Sequence, residues 1–219
     1  MHEQLLDFLA RLDMSRHITR QQLLSGLKAL LGERLADISD SDMQRAIRKL
    51  LPATGKLRPP GASGPPEFFL SCRGGEGCRA CGEACDVATA SRHVIKFFPE
   101  DDAWWGGTPY IDPTESPCLL CEGFPCAAAC PTGALQTPSS VQAVSLGKAY
   151  IDMGRCISGR ENLCEKCALA CPDGIKAILI DRKNGWVSIS SYLCVGCGQC
   201  IGACPQTPSA IVVLPWGGA

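Results

Sequence analysis

Sixteen cysteines occur in the 219 residues of this chain, and their spacing is the feature most able to support chemistry. They fall into four runs, and each run ends with a cysteine four positions after its third. Run one holds Cys72, Cys78, Cys81 and Cys85; run two Cys118, Cys121, Cys126 and Cys130; run three Cys156, Cys164, Cys167 and Cys171; run four Cys194, Cys197, Cys200 and Cys204. Thiolates at this density serve as disulfide partners or as ligands of soft metals.

Three uses of the cysteines compete: a disulfide framework, structural zinc and iron-sulfur clusters. Disulfides need an oxidising compartment and an export signal, but Asp7, Asp13 and Lys28 interrupt the leucine-rich stretches of the first thirty residues. We therefore expect a reducing, cytoplasmic location. A zinc ribbon has paired CxxC knuckles with a longer loop between them. Three cysteines within seven residues, as in Cys194–Cys200, suit three corners of a cubane instead.

Run four, CVGCGQCIGACP, is the full CxxCxxCxxxCP pattern of bacterial ferredoxins. Runs two and three also end in Cys-Pro and differ from run four in one widened gap each, CLLCEGFPCAAAC and CISGRENLCEKCALAC. Run one, CRGGEGCRACGEAC, is the weakest match, because Asp86 stands where proline usually follows the last cysteine. We predict four [4Fe-4S] clusters with all sixteen cysteines as iron ligands.

The sequence around the runs repeats as well, and these repeated elements must position the cysteines. A small-residue turn and an apolar strand are predicted after each Cys-Pro, in CPTGAL, CPDGIKAILI and CPQTPSAIVVL. A further strand is predicted before runs two, three and four, in TPYIDP, KAYIDM and WVSISS. Two units of strand, cysteine loop, short helix and strand form a bicluster ferredoxin, in which the fourth cysteine of one run ligates the cluster of the other run.

The pattern therefore predicts an α+β fold with two bacterial-ferredoxin-like bicluster modules, at residues 68–146 and 147–219. Two pairings of the runs are open: tandem, joining one with two and three with four, or nested, joining two with three and one with four. The Asn184-Gly185 turn between two strands is typical of a hairpin inside one module, which favours the tandem pairing.

Residues 1–51 lack cysteine and show helical periodicity, which predicts a small all-α segment of three short helices. The leucines of this segment can pack on one another and on the ferredoxin body, or they can form a docking module for a partner protein. Residues 52–67, with five prolines and three glycines, are predicted to be a linker.

The composition excludes several classes of protein. A formal net charge of -1 does not fit a nucleic-acid-binding protein, and no apolar run approaches the roughly 18 residues of a membrane span. None of His2, His17 and His93 lies within a cysteine run, and neither GxGxxG after a strand nor GxxxxGK[ST] occurs. We therefore predict no catalytic residues and no enzymatic activity of the chain on its own.

Four stretches resemble a known family: LRPPGASGPPEFFLSC, GTPYIDPTESPCLLCEGFPCAAACPTGAL, CISGRENLCEKCALACP and CVGCGQCIGACPQTPSAIVVLP. They are similar to ferredoxin-type proteins of the periplasmic nitrate reductase and methylamine utilisation type (NapF, NapG and MauM). The resemblance implies four [4Fe-4S] clusters on the sixteen cysteines. TRQQLLSG at residues 19–26 is similar to the twin-arginine export signal of secreted members, with Gln21 in place of the second arginine.

The function expected from the resemblance is electron transfer to or from a larger oxidoreductase. An accessory protein that helps to mature a redox enzyme, for example a molybdenum enzyme, is the alternative. Each oxidised cluster with its four thiolates carries about -2, so the loaded chain carries about -9. We therefore expect redox enzyme subunits with a basic docking patch as partners; such a partner can itself be membrane-bound.

Overall fold

The computed structural model describes residues 55–64, 68, 71–102, 105–159 and 163–215. These residues mix short helices with short strands, which is the predicted α+β class. The α-helices are α1 Ala80–Ala88, α2 Pro125–Ala128, α3 Lys166–Ala170 and α4 Gln199–Ala203. The strands are β1 Ile95–Phe97, β2 Pro109–Ile111, β3 Gly147–Ile151, β4 Ile178–Ile180, β5 Val187–Ile189 and β6 Ile211–Pro215. The predicted all-α segment lies outside the described residues.

Two stretches of the chain repeat the same order of helix, hairpin and helix; we call residues 55–146 the first half and residues 147–215 the second half. In the first half the antiparallel hairpin β1–β2 separates α1 from α2. In the second half the antiparallel hairpin β4–β5 separates α3 from α4. The second half also pairs its first strand with its last, β3 with β6, in register from Gly147↔Pro215 to Ile151↔Ile211.

The strands predicted before runs two, three and four are confirmed as β2, β3 and β5. The strands predicted after the Cys-Pro turns of runs three and four are confirmed as β4 and β6. After run two, however, the described residues form only one bridge, between Leu135 and Ala62. The apolar stretch ends there because Gln136 and Thr137 are exposed and Pro138 lacks the amide proton that a ladder needs.

The predicted Asn-Gly turn closes the β4–β5 hairpin. Gly185 has φ +72°, a left-handed conformation that glycine adopts at little cost. The side-chain oxygen of Asn184 accepts a hydrogen bond from the Trp186 amide at 2.9 Å, and the Asp181 amide donates to the Trp186 carbonyl at 2.8 Å. Runs three and four are therefore joined by a tight hairpin, as the tandem pairing requires.

Residues 55–64, which belong to the predicted linker, pack against the first half. Leu57 is fully buried, and its backbone exchanges two hydrogen bonds with Ile111 of β2, at 3.1 and 2.8 Å. The Lys56 ammonium bonds the Asp112 carboxylate, and the Gln136 amide donates to the Gly61 carbonyl at 2.8 Å. This stretch therefore supplies edge pairing to the first half, whereas the domain boundaries from the sequence stay a prediction.

Within the described residues, no helix is both long enough and apolar enough to cross a membrane. The buried core of these residues is built from aliphatic side chains of the hairpins, such as Ile95, Ile111, Ile178 and Val187, together with ten of the cysteines. Short hairpins and helices with so few large apolar side chains bury little surface. The cysteines themselves are therefore a large part of what holds the core together.

Candidate metal centres

The sixteen cysteines all lie in the described part of the chain, and the structure gathers them into four cavities with four cysteines each. None of them forms a disulfide. Cavity I is lined by Cys72, Cys78, Cys81 and Cys130; cavity II by Cys85, Cys118, Cys121 and Cys126; cavity III by Cys171, Cys194, Cys197 and Cys200; cavity IV by Cys156, Cys164, Cys167 and Cys204. Every residue predicted as an iron ligand therefore faces a shared cavity.

Each cavity takes three cysteines from one run and the last cysteine from the neighbouring run. Runs one and two exchange Cys85 and Cys130, and runs three and four exchange Cys171 and Cys204. This is the tandem arrangement that the sequence favoured over the nested one. In a bicluster ferredoxin, the fourth cysteine of each run ligates the cluster of the other run. The cavities group the cysteines in the same way.

The four helices explain how one run reaches two cavities. The third and fourth cysteines of each run are four residues apart, which is about 6 Å along a helix axis. Each helix carries its third cysteine, and the fourth lies on it or within two residues of its end. Because α1 packs on α2 and α3 packs on α4, each helix lies between two cavities and presents one cysteine to each.

Proline follows the last cysteine of three runs and restricts the backbone conformation of that cysteine. Cys171 and Cys204 end their helices with ψ +123° and +128°, since the residue before proline avoids the helical region. In run one, where Asp86 replaces proline, α1 continues through Cys85 to Ala88. The chain then needs a longer loop, fixed by hydrogen bonds from the backbone and ring of His93 to the Asp86 carboxylate. The departure noted in the sequence therefore changes the loop and leaves Cys85 in its cavity.

Backbone amides point at the sulfur of the last cysteine in runs two to four. The donors are the amides of Leu135 to Cys130, Ala177 to Cys171 and Ala210 to Cys204, at 3.4, 3.3 and 3.4 Å between N and Sγ. Such bonds stabilise negative charge on sulfur. Burial by itself would raise the pKa of the Cys130 and Cys204 thiols. The backbone and hydroxyl donors around them outweigh burial, so the pKa of both thiols is lowered.

Other cysteines are buried so deeply that their thiolates need a cation. Burial, reinforced by neighbouring cysteines, raises the pKa of Cys81, Cys126 and Cys200 to about 12, and burial raises that of Cys118 still further. Four thiolates cannot share so apolar a cavity unless bound metal compensates their charge, as happens when metal binding displaces thiol protons. The donor set is therefore that of a metal centre.

The geometry fits a polynuclear cluster better than a single ion. In a tetrahedral zinc site with Zn–S bonds of about 2.3 Å, the sulfurs lie about 3.8 Å apart. Nowhere in the described ranges do three or more Cys, His, Asp or Glu side chains converge closely enough for one ion. Four thiolates spread around an apolar cavity, without nitrogen or oxygen ligands, match a [4Fe-4S] cubane.

Neighbouring cavities are linked I to II, II to III and III to IV, and we call this series the row. The pKa of Cys81 in cavity I, raised mainly by burial, is raised further by Cys126 of cavity II. In the same way Cys167 of cavity IV adds to the effect of burial on Cys200 of cavity III. Cavities II and III meet through the backbone, where the Cys118 amide donates to the Cys197 carbonyl at 3.0 Å.

The join between the two halves also uses residues that the sequence analysis did not single out. The side-chain amide of Gln199 donates to the Cys118 carbonyl at 3.0 Å. Gly198, at φ +83°, lies so close to Pro113 that a side chain at this position would overlap the proline ring. The only signal in the sequence is the Gly-Gln pair inside CVGCGQC, which a ferredoxin pattern treats as variable.

Comparison with known proteins agrees with this geometry. Residues 148–205, which contain runs three and four, match the model of the 4Fe-4S dicluster domain family. The methylamine utilization ferredoxin-type protein MauM of Paracoccus denitrificans is 30% identical over 215 residues, which cover 94% of this chain and 92% of that protein. MauM of Methylophilus methylotrophus is 33% identical over 74% of this chain and 72% of that protein.

The ferredoxin-type protein NapG of Escherichia coli K12 is 31% identical over 73% of this chain and 71% of its own length. The matches to these three relatives span between 73% and 94% of this chain, and the 4Fe-4S dicluster model matches residues 148–205. The chain therefore belongs to the ferredoxin-type family of 4Fe-4S electron-transfer proteins that includes MauM and NapG.

Proposed function

We propose that cavities I to IV each hold one [4Fe-4S] cluster, in two bicluster modules, and that the chain relays single electrons to or from a larger oxidoreductase. The observation that carries the proposal is the row of four cavities, each lined by four cysteines. Each of the sixteen predicted ligands lines one of these cavities. When bound, each cluster would accept and release one electron.

The protein residues supply the surroundings that such a relay needs. Apolar walls, such as Ile95 and Phe124 in cavity II and Ile178 and Val195 in cavity III, exclude water from the site. Backbone amides at sulfur, like that of Ala149 to Cys194 at 3.4 Å, favour added negative charge. The Cys118–Cys197 hydrogen bond fixes the separation of the two middle cavities, so that electron transfer between them needs no large movement.

Exposure of the cysteines differs along the row and marks its ends. All four cysteines of cavity III are buried, whereas three in cavity IV and two in cavity I are half-buried. Cavities I and IV are therefore the proposed points of electron exchange with other proteins. With a charge of about -9 when loaded, the chain is expected to dock on a basic patch of the partner enzyme.

We expect this chain to purify with its partner from the native cell in a fixed ratio, and its clusters to become reduced while the partner turns over. A bound relay needs both results, because electrons must pass through it in every cycle. The measurement is affinity purification of the tagged full chain, identification of the co-eluting subunits, and freeze-quench electron paramagnetic resonance during turnover. A protein that binds only the immature partner and is absent from the finished enzyme would contradict the relay and support a maturation role.

A further inference from the structure

Arg58 places a half-buried positive charge in the first half of the molecule. One of its terminal nitrogens, Nη1, donates hydrogen bonds to the Thr108 hydroxyl at 3.2 Å and the Pro109 carbonyl at 2.8 Å. Burial lowers the pKa of Arg58 to about 10, so the side chain is still cationic at neutral pH. A charge partly shielded from water in this way is stabilised by a nearby negative group.

Three aromatic rings enclose the guanidinium. Its central carbon lies 4.2 Å from the ring centroid of Trp105, 5.2 Å from that of Phe68 and 5.4 Å from that of Phe98. Ring faces attract a cation but offer no strong hydrogen-bond acceptor. The second terminal nitrogen, Nη2, is fully buried and has no hydrogen-bond partner among the described residues. A buried donor of this kind indicates an acceptor that the protein atoms alone do not supply.

Cavity I is the negative site beside this cage. Phe68, which forms one wall of the cage, also lines cavity I, and the amide of Cys72 donates to its carbonyl at 2.9 Å. Burial lowers the pKa of Arg58, whereas the negative charges of Cys72 and Asp102 raise it. The Asp102 carboxylate already accepts a hydrogen bond from the Trp105 amide at 2.7 Å. As a cluster ligand, Cys72 would add to the negative charge that acts on Arg58.

We propose that Arg58 is a positioning residue whose half-buried charge raises the reduction potential of the cluster in cavity I above the value the cavity would otherwise set. The inference rests on the proposed function, since it needs a cluster in cavity I. A cluster with its four thiolates carries about -2 when oxidised and about -3 when reduced. A fixed cation stabilises the state with one more negative charge, so reduction becomes easier. Electrons would then collect at the cavity I end of the row.

The test replaces Arg58 in the full, cluster-loaded chain and follows a redox titration by electron paramagnetic resonance. Arg58→Met removes the charge and keeps the length, whereas Arg58→Gln is neutral but can still bond the Pro109 carbonyl if Met impairs folding. We expect one of four midpoint potentials to fall, with at least a tenfold change in its reduction equilibrium, about 59 mV for one electron. The iron content and the other three potentials stay unchanged, and Arg58→Lys stays close to wild type.

Arg73→Met is the matched control. Arg73 also lines cavity I, but its side chain is 61% exposed and pairs with Glu76, so solvent screens its charge and a smaller shift is expected. Unchanged potentials in a fully loaded Arg58→Met or Arg58→Gln variant would overturn the role, as would a shift in Arg58→Lys as large as in Arg58→Met. A wild-type chain without a cluster in cavity I would instead refute the four-cluster proposal. The iron count of the wild-type chain therefore shows whether the four-cluster proposal or the role of Arg58 has failed.

Discussion

Replacing Cys81 and Cys130 together with alanine is expected to remove one cluster, about four iron atoms per chain, and to leave three [4Fe-4S] clusters intact. The two residues belong to different runs but line the same cavity. Removing both takes away half of the thiolates of cavity I, too many for a cluster to remain. The measurement is iron and sulfide analysis with spin quantitation of the anaerobically reduced protein.

The matched variant combines Cys81→Ala with Cys85→Ala, two residues of the same run that line cavities I and II. Here two clusters each lose one ligand, so two of the four are lost or become three-iron clusters with an oxidised resonance signal. If each run instead held its own cluster, the Cys81 and Cys85 pair would remove one cluster, and the Cys81 and Cys130 pair would damage two. If the runs were nested, the Cys81 and Cys130 pair would damage two clusters, because those residues would then lie in separate sites.

The second large effect is expected for Gly198→Ala at the contact between the two halves. The left-handed conformation costs a residue with a side chain about 1–2 kcal/mol. Overlap with the Pro113 ring adds about 1–3 kcal/mol, as overpacking does elsewhere. We expect anaerobic denaturation of the loaded protein, followed by the visible absorption of the clusters, to occur at clearly lower denaturant. The magnetic coupling between the clusters of cavities II and III should weaken in the same variant.

Gly123→Ala is the matched control for this change. Gly123 is also left-handed, with φ +70°, and also lies inside a cysteine loop, but a side chain there would meet nothing within 4 Å. Its cost is therefore only that of the backbone, about 1–2 kcal/mol. Equal denaturation midpoints for the two variants would show that the Gly198–Pro113 contact does not hold the halves together.

Local patterns in the sequence were enough to predict much of the site. Spacing alone grouped the cysteines into runs, because three of the four ligands of each cubane in a bicluster ferredoxin come from closely spaced residues. The strands before runs two to four were visible as short apolar or alternating stretches, and the Asn184-Gly185 turn identified the β4–β5 hairpin. That turn favoured the tandem pairing, and the cavities group cysteines such as Cys85 and Cys130 in the tandem way.

The features that the sequence left unpredicted depend on contacts between distant residues. Leu57 and Arg58 stand in a stretch rich in proline and glycine, whose composition predicts a linker, and only the pairing with Ile111 and the aromatic cage make them part of the first half. The contact of Cys118 with Cys197 spans the two halves and has no local signature. Helix α1 continues past Cys85 because no proline follows that cysteine. The missing proline was visible in the sequence, but the longer helix was not predicted from it.

Four cavities that hold four cubanes give the full chain a defined metal content. The protein is purified under anaerobic conditions, and iron, acid-labile sulfide and zinc are measured in the same sample. We expect about sixteen iron and about sixteen sulfide ions per chain with no stoichiometric zinc. About eight iron ions would show that only one half carries clusters, and about four zinc ions without sulfide would contradict the account altogether.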